Sequence, residues 1–425
     1  MLLRSLVHHA HTPVVYISDE HSRKIADGIA WKVDHPSDLL DADIIFFDDN
    51  GKGNVADSFR ERGKFVWCGG AIADRLELDR LFGMNTCLEY GVPIPDTYEV
   101  SGLTDVKTVL KSEFNPADPV VVKLDDSSRC SMSYVAKDAK DLVTQVEHWE
   151  SDGQINEPWT GILQRFVKGI EVSIEGWWTG ERWVFPNLTI EEKKCWPGDL
   201  GPAVGCAANI VASISPNSKL FKRMVEPFGP FLKKHNYTGQ LDINMIVSDE
   251  GPCALEFTPR PGYDATPTLA YSRHGGYGGM ILTALDPEPH DSGVRADGPW
   301  KEDPYAAGLR VTIPPYPFES KSEKLSVDAL ATCEGVPIDV DEEELEHFYL
   351  YDAMVTERGL VCAGTVGAIG IALGHGNSPR AAGRAAYKVA EKLRIPNKQY
   401  RAIDAFDRAE KDIDTLIADG LVKIT

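Results

Sequence analysis

The stretch from Leu241 to Thr258 restricts the fold of this chain more than any other. In Leu241-Asp242-Ile243-Asn244-Met245-Ile246-Val247, Asp242 and Asn244 alternate with Ile243 and Met245. In Cys253 to Thr258, Glu256 and Thr258 alternate with Leu255 and Phe257. A period of two predicts strands with one apolar and one polar face. Ser248-Asp249-Glu250-Gly251-Pro252 supplies the turn between them. Folding about that turn sets Asp242 and Asn244 across from Glu256 and Thr258. Carboxylates on adjacent strands repel unless a cation lies between them. Mg²⁺, a hard ion held by one or two carboxylates plus phosphate oxygens, suits such a face. A solvated acidic face fits the same pattern, and the hairpin alone leaves both readings open.

Upstream, Val14-Val15-Tyr16-Ile17, Ile44-Ile45-Phe46-Phe47 and Phe65-Val66-Trp67-Cys68 read as buried strands, with a helix over 54–62. The first strand is followed by Ser18-Asp19-Glu20 rather than a glycine-rich turn, which argues against a dinucleotide site. A helix is predicted from Leu76 to Tyr90, closed by Gly91 and followed by Pro93 and Pro95. Val120-Val121-Val122-Lys123 and Gly161-Ile162-Leu163-Gln164 are further strands, and Glu171 to Trp178 alternates as a half-buried one. Leu220 to His235 reads as a helix interrupted near Pro227 and Pro230. The segment from Asp286 to Pro304, rich in Asp, Pro and Gly, marks a domain boundary. Strands over 308–313 and 361–373 and a helical region from Arg380 complete the chain.

Lys123 ends an apolar strand, a geometry that delivers an ammonium to a phosphate as readily as to solvent. The connector after Gln164, running Arg165-Phe166-Val167-Lys168-Gly169-Ile170, can offer backbone groups to an adenine edge, with Glu171 on the ribose hydroxyls. With 65 acidic against 44 basic residues the net charge is -21, which disfavours bulk nucleic-acid binding. No apolar run is long enough to cross a bilayer, and the N-terminus does not read as a secretory signal; a cytoplasmic location is the expectation. Eight cysteines without a CxxC pair read as reduced, mostly buried thiols. Gly364, Gly367, Gly370, Gly374 and Gly376 read as turns and close packing rather than a phosphate loop, because no Gly-Lys-Ser/Thr follows. His8, His9 and His11 lack a partner spaced for metal binding. His274-Gly275-Gly276-Tyr277-Gly278-Gly279 reads as a flexible turn, and Trp177 and Trp178 as packing residues.

A strand-end lysine, a linker followed by Gly-x-Glu-x-Ser (Gly169 to Ser173) and an acidic hairpin ending Glu-Phe-x-x-Arg (Glu256 to Arg260) together resemble the ATP-grasp superfamily. Within it the chain resembles the phosphoribosylamine–glycine ligases. Leu76-Glu77-Leu78-Asp79-Arg80-Leu81-Phe82, then Tyr90-Gly91-Val92-Pro93, is similar to that family's Leu-Glu-x-Ser-Lys-x-Phe and Gly-Ile-Pro-Thr. Glu191-Glu192-Lys193-Lys194 and Gly198-Asp199-Leu200-Gly201-Pro202 are similar to its Gln-Asp-His-Lys-Arg and Gly-Asp-Thr-Gly-Pro. Gly374 to Ala382, Ala386-Tyr387-Lys388 and Tyr400-Arg401-Ala402-Ile403-Asp404 echo its C-terminal motifs. The match runs with gaps from about Asp43 to the C-terminus.

The resemblance implies a multidomain α/β and α+β fold. Its parts would be a small N-terminal α/β domain over 1–92, an ATP-grasp domain over 93–298 with a lid near 115–180, and a C-terminal β-rich domain with terminal helices over 299–425. It implies an ADP-forming ligase in which a carboxylate, from glycine or another amino acid, attacks the γ-phosphate of ATP. The acyl phosphate so formed is captured by an amine, as in purine biosynthesis. ATP with Mg²⁺, or Mn²⁺ in its place, is the implied cofactor. The implied partners are small molecules, with neither nucleic acid nor membrane, in a monomer or small homo-oligomer. Asp242, Glu256 and Thr258 would hold the metal. Arg80 and Lys123 would meet phosphates, Gln164, Phe166 and Val167 the adenine, and Glu171 the ribose. Arg260, Lys193 and Asp199 would serve the reacting groups.

The chain departs from the family at four places. Gln164 and Arg165 replace the hinge glutamates, and Thr258 replaces an asparagine metal ligand that Asn244 can substitute. Leu124-Asp125-Asp126-Ser127-Ser128-Arg129 lacks the glycines of the phosphate lid. On the substrate side, the family's N-terminal Gly-Gly-Arg-Glu-His-Ala-Leu is absent. Ala203-Val204-Gly205-Cys206-Ala207-Ala208 and Gly262-Tyr263-Asp264-Ala265-Thr266 also differ from its motifs. A ligase using another amine, or a nucleotide-binding protein without catalysis, fits the same departures.

Overall fold

A computed structural model describes residues 12–18, 22–125, 133–153, 155, 158–273, 276–285, 303–317, 333–364, 366–402 and 404–425. The readings made on His8, His9, His11, Ser127 to Arg129, His274, Gly275 and most of 286–304 lie outside those residues.

Among the described residues eighteen strands are named in chain order. They begin with β1 (Val14–Tyr16), β2 (Trp31–Val33), β3 (Ile44–Phe46), β4 (Phe65–Trp67), β5 (Thr97–Ser101), β6 (Val120–Leu124) and β7 (Ser133–Ala136). They continue with β8 (Thr160–Arg165), β9 (Ile170–Trp178), β10 (Trp183–Trp196), β11 (Leu200–Ser213), β12 (Gly239–Ser248) and β13 (Gly251–Thr258). The last are β14 (Tyr305–Thr312), β15 (Phe348–Leu350), β16 (Ala353–Thr356), β17 (Gly359–Cys362) and β18 (Ala368–Gly376). Two compact units emerge: one comprises 46–183 and 219–261, the other 1–45, 184–218 and 262–425.

The 46–183/219–261 unit holds two sheets. One is ordered β5-β8-β6-β7, with helices Gly102–Glu113 and Ala139–Ser151 against it. Valines and leucines at alternate strand positions meet the apolar stripes of those helices. Val100, Val122, Leu142, Val146 and Leu163 are all fully buried there. The other has β12 between β13 and β9, both antiparallel to it. β9 is buried on both faces from Val172 onward, not half-buried as its alternation predicts. Its inward polar residue Glu175 is satisfied by Trp177 Nε1 at 2.9 Å and Gln240 Nε2 at 3.3 Å, which makes burial of that carboxylate tolerable.

The predicted helix from Leu76 to Tyr90 is two helices, Ala71–Leu78 and Arg80–Glu89. Asp79 leaves the helical conformation and its carboxylate accepts the Phe82 amide, capping the second. The Leu220–His235 stretch breaks as its prolines predict, into Lys219–Met224, a 3₁₀ turn Glu226–Phe228 and Gly229–Lys234.

In the other unit β10, β11, β14, β18 and β15 are neighbours in that order, and the helix Pro379–Lys392 packs on β14 and β18. The glycines of β18 allow close approach on two sides: a Cβ on Gly374 would stand 2.3 Å from the Ala382 carbonyl of that helix, and one on Gly370 2.2 Å from the Tyr349 carbonyl of β15. No described helix is long and apolar enough to cross a membrane.

Candidate functional site

The β12–β13 register pairs Asp242 with Thr258 and Asn244 with Glu256, as the sequence pattern predicts. β9 extends the same face, with Glu175 opposite Asp242, Ser173 opposite Asn244 and Glu171 opposite Ile246. Asn244 Nδ2 lies 3.5 Å from Ser173 Oγ. A register shift follows Asn244, so the hairpin pairs regularly where its polar residues sit and slips beyond them.

Two cations from distant parts of the sequence meet this hairpin. Lys123, only 6% exposed, donates from Nζ to the Leu255 carbonyl at 2.7 Å. Arg80, equally buried, donates from Nη1 to Glu256 Oε2 at 3.1 Å, and its backbone amide to Asp125 Oδ1 at 2.8 Å. The Nε of Arg80 is buried with no hydrogen-bond partner. Buried guanidinium donors are ordinarily satisfied, so this one marks a place for a further acceptor.

Arg260, just past β13, donates from Nε and Nη2 to Glu77 Oε1 at 3.1 and 2.8 Å, and from Nη1 to the Pro261 carbonyl at 3.3 Å. Burial pushes the Glu77 carboxyl above its ordinary range, with the Arg260 charge opposing that rise. Glu77 belongs to the Leu-Glu motif read in the sequence, but its service to Arg260 was not legible there. Glu175 was likewise missed; the alternation Glu171-Ser173-Glu175 was the available signal.

Gln164 is almost wholly buried, donating from Nε2 to Thr97 Oγ1 at 3.0 Å. Phe166 is exposed and Val167 half-buried in the connector between β8 and β9. Gly169 seats that connector: a Cβ there would come within 2.2 Å of the Val247 carbonyl.

Lys193 and Asp199 belong to the other unit, on β10 and in the turn between β10 and β11. In that unit Arg310 joins the two segments, 203–208 and 262–266, that differ from the family's motifs. Its Nε donates to Asp264 Oδ1 at 3.0 Å, Nη2 to Asp264 Oδ2, and Nη1 to the Val204 carbonyl at 2.9 Å.

The chain superposes on the crystal structure of phosphoribosylamine–glycine ligase from Thermotoga maritima with a TM-score of 0.72, at 18% identity, covering 94% of this chain and 96% of that one. The chain has the ATP-grasp fold. The same fold relates it to the biotin carboxylase domain of Hydrogenobacter thermophilus 2-oxoglutarate carboxylase, solved with MgADP, ADP and bicarbonate. There the TM-score is 0.64 at 12% identity, covering 99% of this chain and 92% of that one. In sequence, the chain is homologous to phosphoribosylamine–glycine ligases. That of Streptococcus pyogenes serotype M1 is 23% identical over 345 residues, 77% of each protein. No family model matches the chain.

The residues present fit a magnesium nucleotide. The hairpin offers only hard oxygen donors on its polar face, with a buried lysine and a buried arginine beside it. Among the described residues no three His, Cys, Asp or Glu side chains form a self-sufficient metal cage. Two carboxylates completed by phosphate oxygens is the arrangement Mg²⁺ uses with nucleotides.

Proposed function

We propose that this protein is an ATP-dependent carboxylate–amine ligase, joining an amino-acid carboxylate such as glycine to an amine, with phosphoribosylamine as the first amine to test. One observation carries the reading: the β12–β13 register gathers Asp242, Asn244, Glu256 and Thr258 on one face, with Lys123 and Arg80 bonded to the strand that bears Glu256. Homology to phosphoribosylamine–glycine ligases supports it.

In this reading Asp242 and Glu256 hold the metal, with Thr258 and Asn244 as neutral oxygen donors. Bound metal would offset the charge on the transferring phosphoryl group. Lys123 and Arg80 supply cations to phosphate oxygens, the Gln164–Val167 connector lines the adenine side, and Glu171 accepts from the ribose. Arg260, held by Glu77, presents its charge to the phosphorylated carboxylate. The reaction balances without a covalent enzyme intermediate: the carboxylate takes the phosphoryl group as ADP leaves, and the amine then displaces phosphate, losing a proton. Lys193 and Asp199 are assigned to the reacting small molecules.

The test is ADP release measured with Mg·ATP, glycine or other amino acids, and phosphoribosylamine or other amines. Release that requires both a carboxylate and an amine supports the ligase. Nucleotide binding with no such release identifies a non-catalytic nucleotide-binding protein instead. In an active preparation, Glu256→Ala is expected to lower turnover about 1000-fold, the several kcal/mol that a metal contributes, with the circular dichroism spectrum unchanged. Unaltered turnover would remove Glu256 from the metal site.

A further inference from the structure

Arg401 lies in a C-terminal segment to which the ligase reading assigns no role, yet its side chain is 3% exposed and grips both ends of the β10–β11 tip. Nη1 donates to the Lys194 carbonyl at 3.0 Å and lies 3.5 Å from Glu192 Oε2. These contacts fall on either side of Lys193, where the β10–β11 register shifts. Nε donates to Asp404 Oδ1 at 2.8 Å, and Asp404 Oδ2 in turn accepts the Gly198 amide at 2.9 Å. Nη2 lies 3.9 Å from Asp199 Oδ1. Arg408 completes the frame, donating from Nε to Glu192 Oε1 at 2.9 Å and from Nη2 to the Glu191 carbonyl at 2.7 Å.

A hairpin tip needs none of this to exist. The turn holds Gly198 at φ +70°, Asp199 at +56° and Gly201 at +79°, while Asp404 sits at +59° to reach it. Positive φ at Asp199 is ordinary for an aspartate in a tight hairpin turn, so what sets this tip apart is the tether from Arg401 and Asp404. A buried arginine with a charge-assisted hydrogen bond on one side of a lysine and an ion pair on the other fixes where that lysine starts. Side chains that must meet a substrate are held in this way, by neighbours that do not touch it.

We propose that Arg401, acting with Asp404, is a positioning residue that sets the β10–β11 tip so that Lys193 and Asp199 meet the amine substrate. The inference rests on the ligase reading for the identity of that substrate. The tether itself stands on the contacts alone.

Two measurements on the full-length protein test it, with Asp404→Ala, Arg401→Lys and Arg401→Met. Asp404 is one-third exposed, so Asp404→Ala remains informative if the Arg401 variants fail to fold. Hydrogen exchange at the Gly198 amide is expected to accelerate at least about tenfold in Asp404→Ala and Arg401→Met, with less change in Arg401→Lys. In steady-state ADP release, KM for the amine is expected to rise about tenfold to 100-fold while KM for ATP stays within about twofold, with partial recovery in Arg401→Lys. Unchanged exchange at Gly198 overturns the tether. Accelerated exchange with an unchanged amine KM, or with amine and ATP KM rising together, overturns the positioning role. Absence of amine-dependent ADP release in the unsubstituted protein defeats the ligase reading and the substrate assignment together, and the exchange result still decides the tether.

Discussion

Replacing Arg260 by methionine tests the electrostatics of the site without using activity. The guanidinium makes two bonds to one oxygen of Glu77, whose side chain is 11% exposed against 19% for Arg260. Removing one partner of a fully buried pair costs about 3–5 kcal/mol, because the other charge is left without compensation. Partial exposure lowers that to about 2–4 kcal/mol here. Burial already raises the proton affinity of Glu77 against the opposing charge of Arg260, so Arg260→Met raises it further. A carboxyl that binds its proton more tightly folded than unfolded loses stability as pH climbs from its unfolded value through its folded one. The destabilisation by Arg260→Met is therefore larger at about pH 8 than at about pH 5. Glu77→Gln with Arg260→Met removes the stranded charge and recovers about 2 kcal/mol at the higher pH. Urea unfolding followed by tryptophan emission reports on this unit, which contains the buried Trp67–Trp177 pair with ring centroids 5.6 Å apart. A double variant no more stable than Arg260→Met, or a loss independent of pH, would refute the reasoning.

Burial pushes the Asp352 carboxyl up to about 6 from an ordinary 3.8. Its ionised form opposes folding by up to about 3 kcal/mol once pH rises through that range. Asp352→Asn, which keeps a residue tolerant of the positive φ found there, is expected to raise the melting temperature at about pH 8 and have little effect near pH 4. Equal shifts at both pH values would contradict it. Gly201→Ala places a Cβ at φ +79° and 2.2 Å from the Trp196 ring, costing about 1–3 kcal/mol locally. It is expected to speed exchange at the Gly198 amide, and unchanged exchange would show that the tip absorbs the methyl.

In the hairpin assigned to the metal, alternation alone placed Asp242, Asn244, Glu256 and Thr258 on one face. The turn is Asp249-Glu250, shorter than the five residues read from the sequence, and the one-residue slip after Asn244 restores Asp242 against Thr258 and Asn244 against Glu256. That slip was not legible, since a bulge leaves no mark in polarity. Period-two polarity also misjudged β9, because a polar residue in a central strand can be satisfied by neighbours such as Trp177 and Gln240 rather than by water. The break at Asp79 was hidden inside a helical pattern whose capping aspartate looks like any surface acid. Most opaque were the ion pairs. Arg80 with Glu256 and Arg260 with Glu77 join positions 176 and 183 residues apart, and no local rule links them. The motifs named the residues, but their partners had to come from the fold.

The division of the chain bears on how such a protein can change over generations. Every residue assigned here to nucleotide or metal lies in 46–183 or 219–261, whereas Lys193, Asp199 and the Arg310-linked segments belong to the other unit. The bonds that shape the first group, from Lys123 to Leu255 and from Arg80 to Glu256, close within its own unit. A lineage can therefore rewrite the second group without breaking the bonds that shape the first. Departures from the family's motifs fall in both groups, at Gln164, Arg165 and Thr258 in the first and over 203–208 and 262–266 in the second, so each unit carries its own record of change.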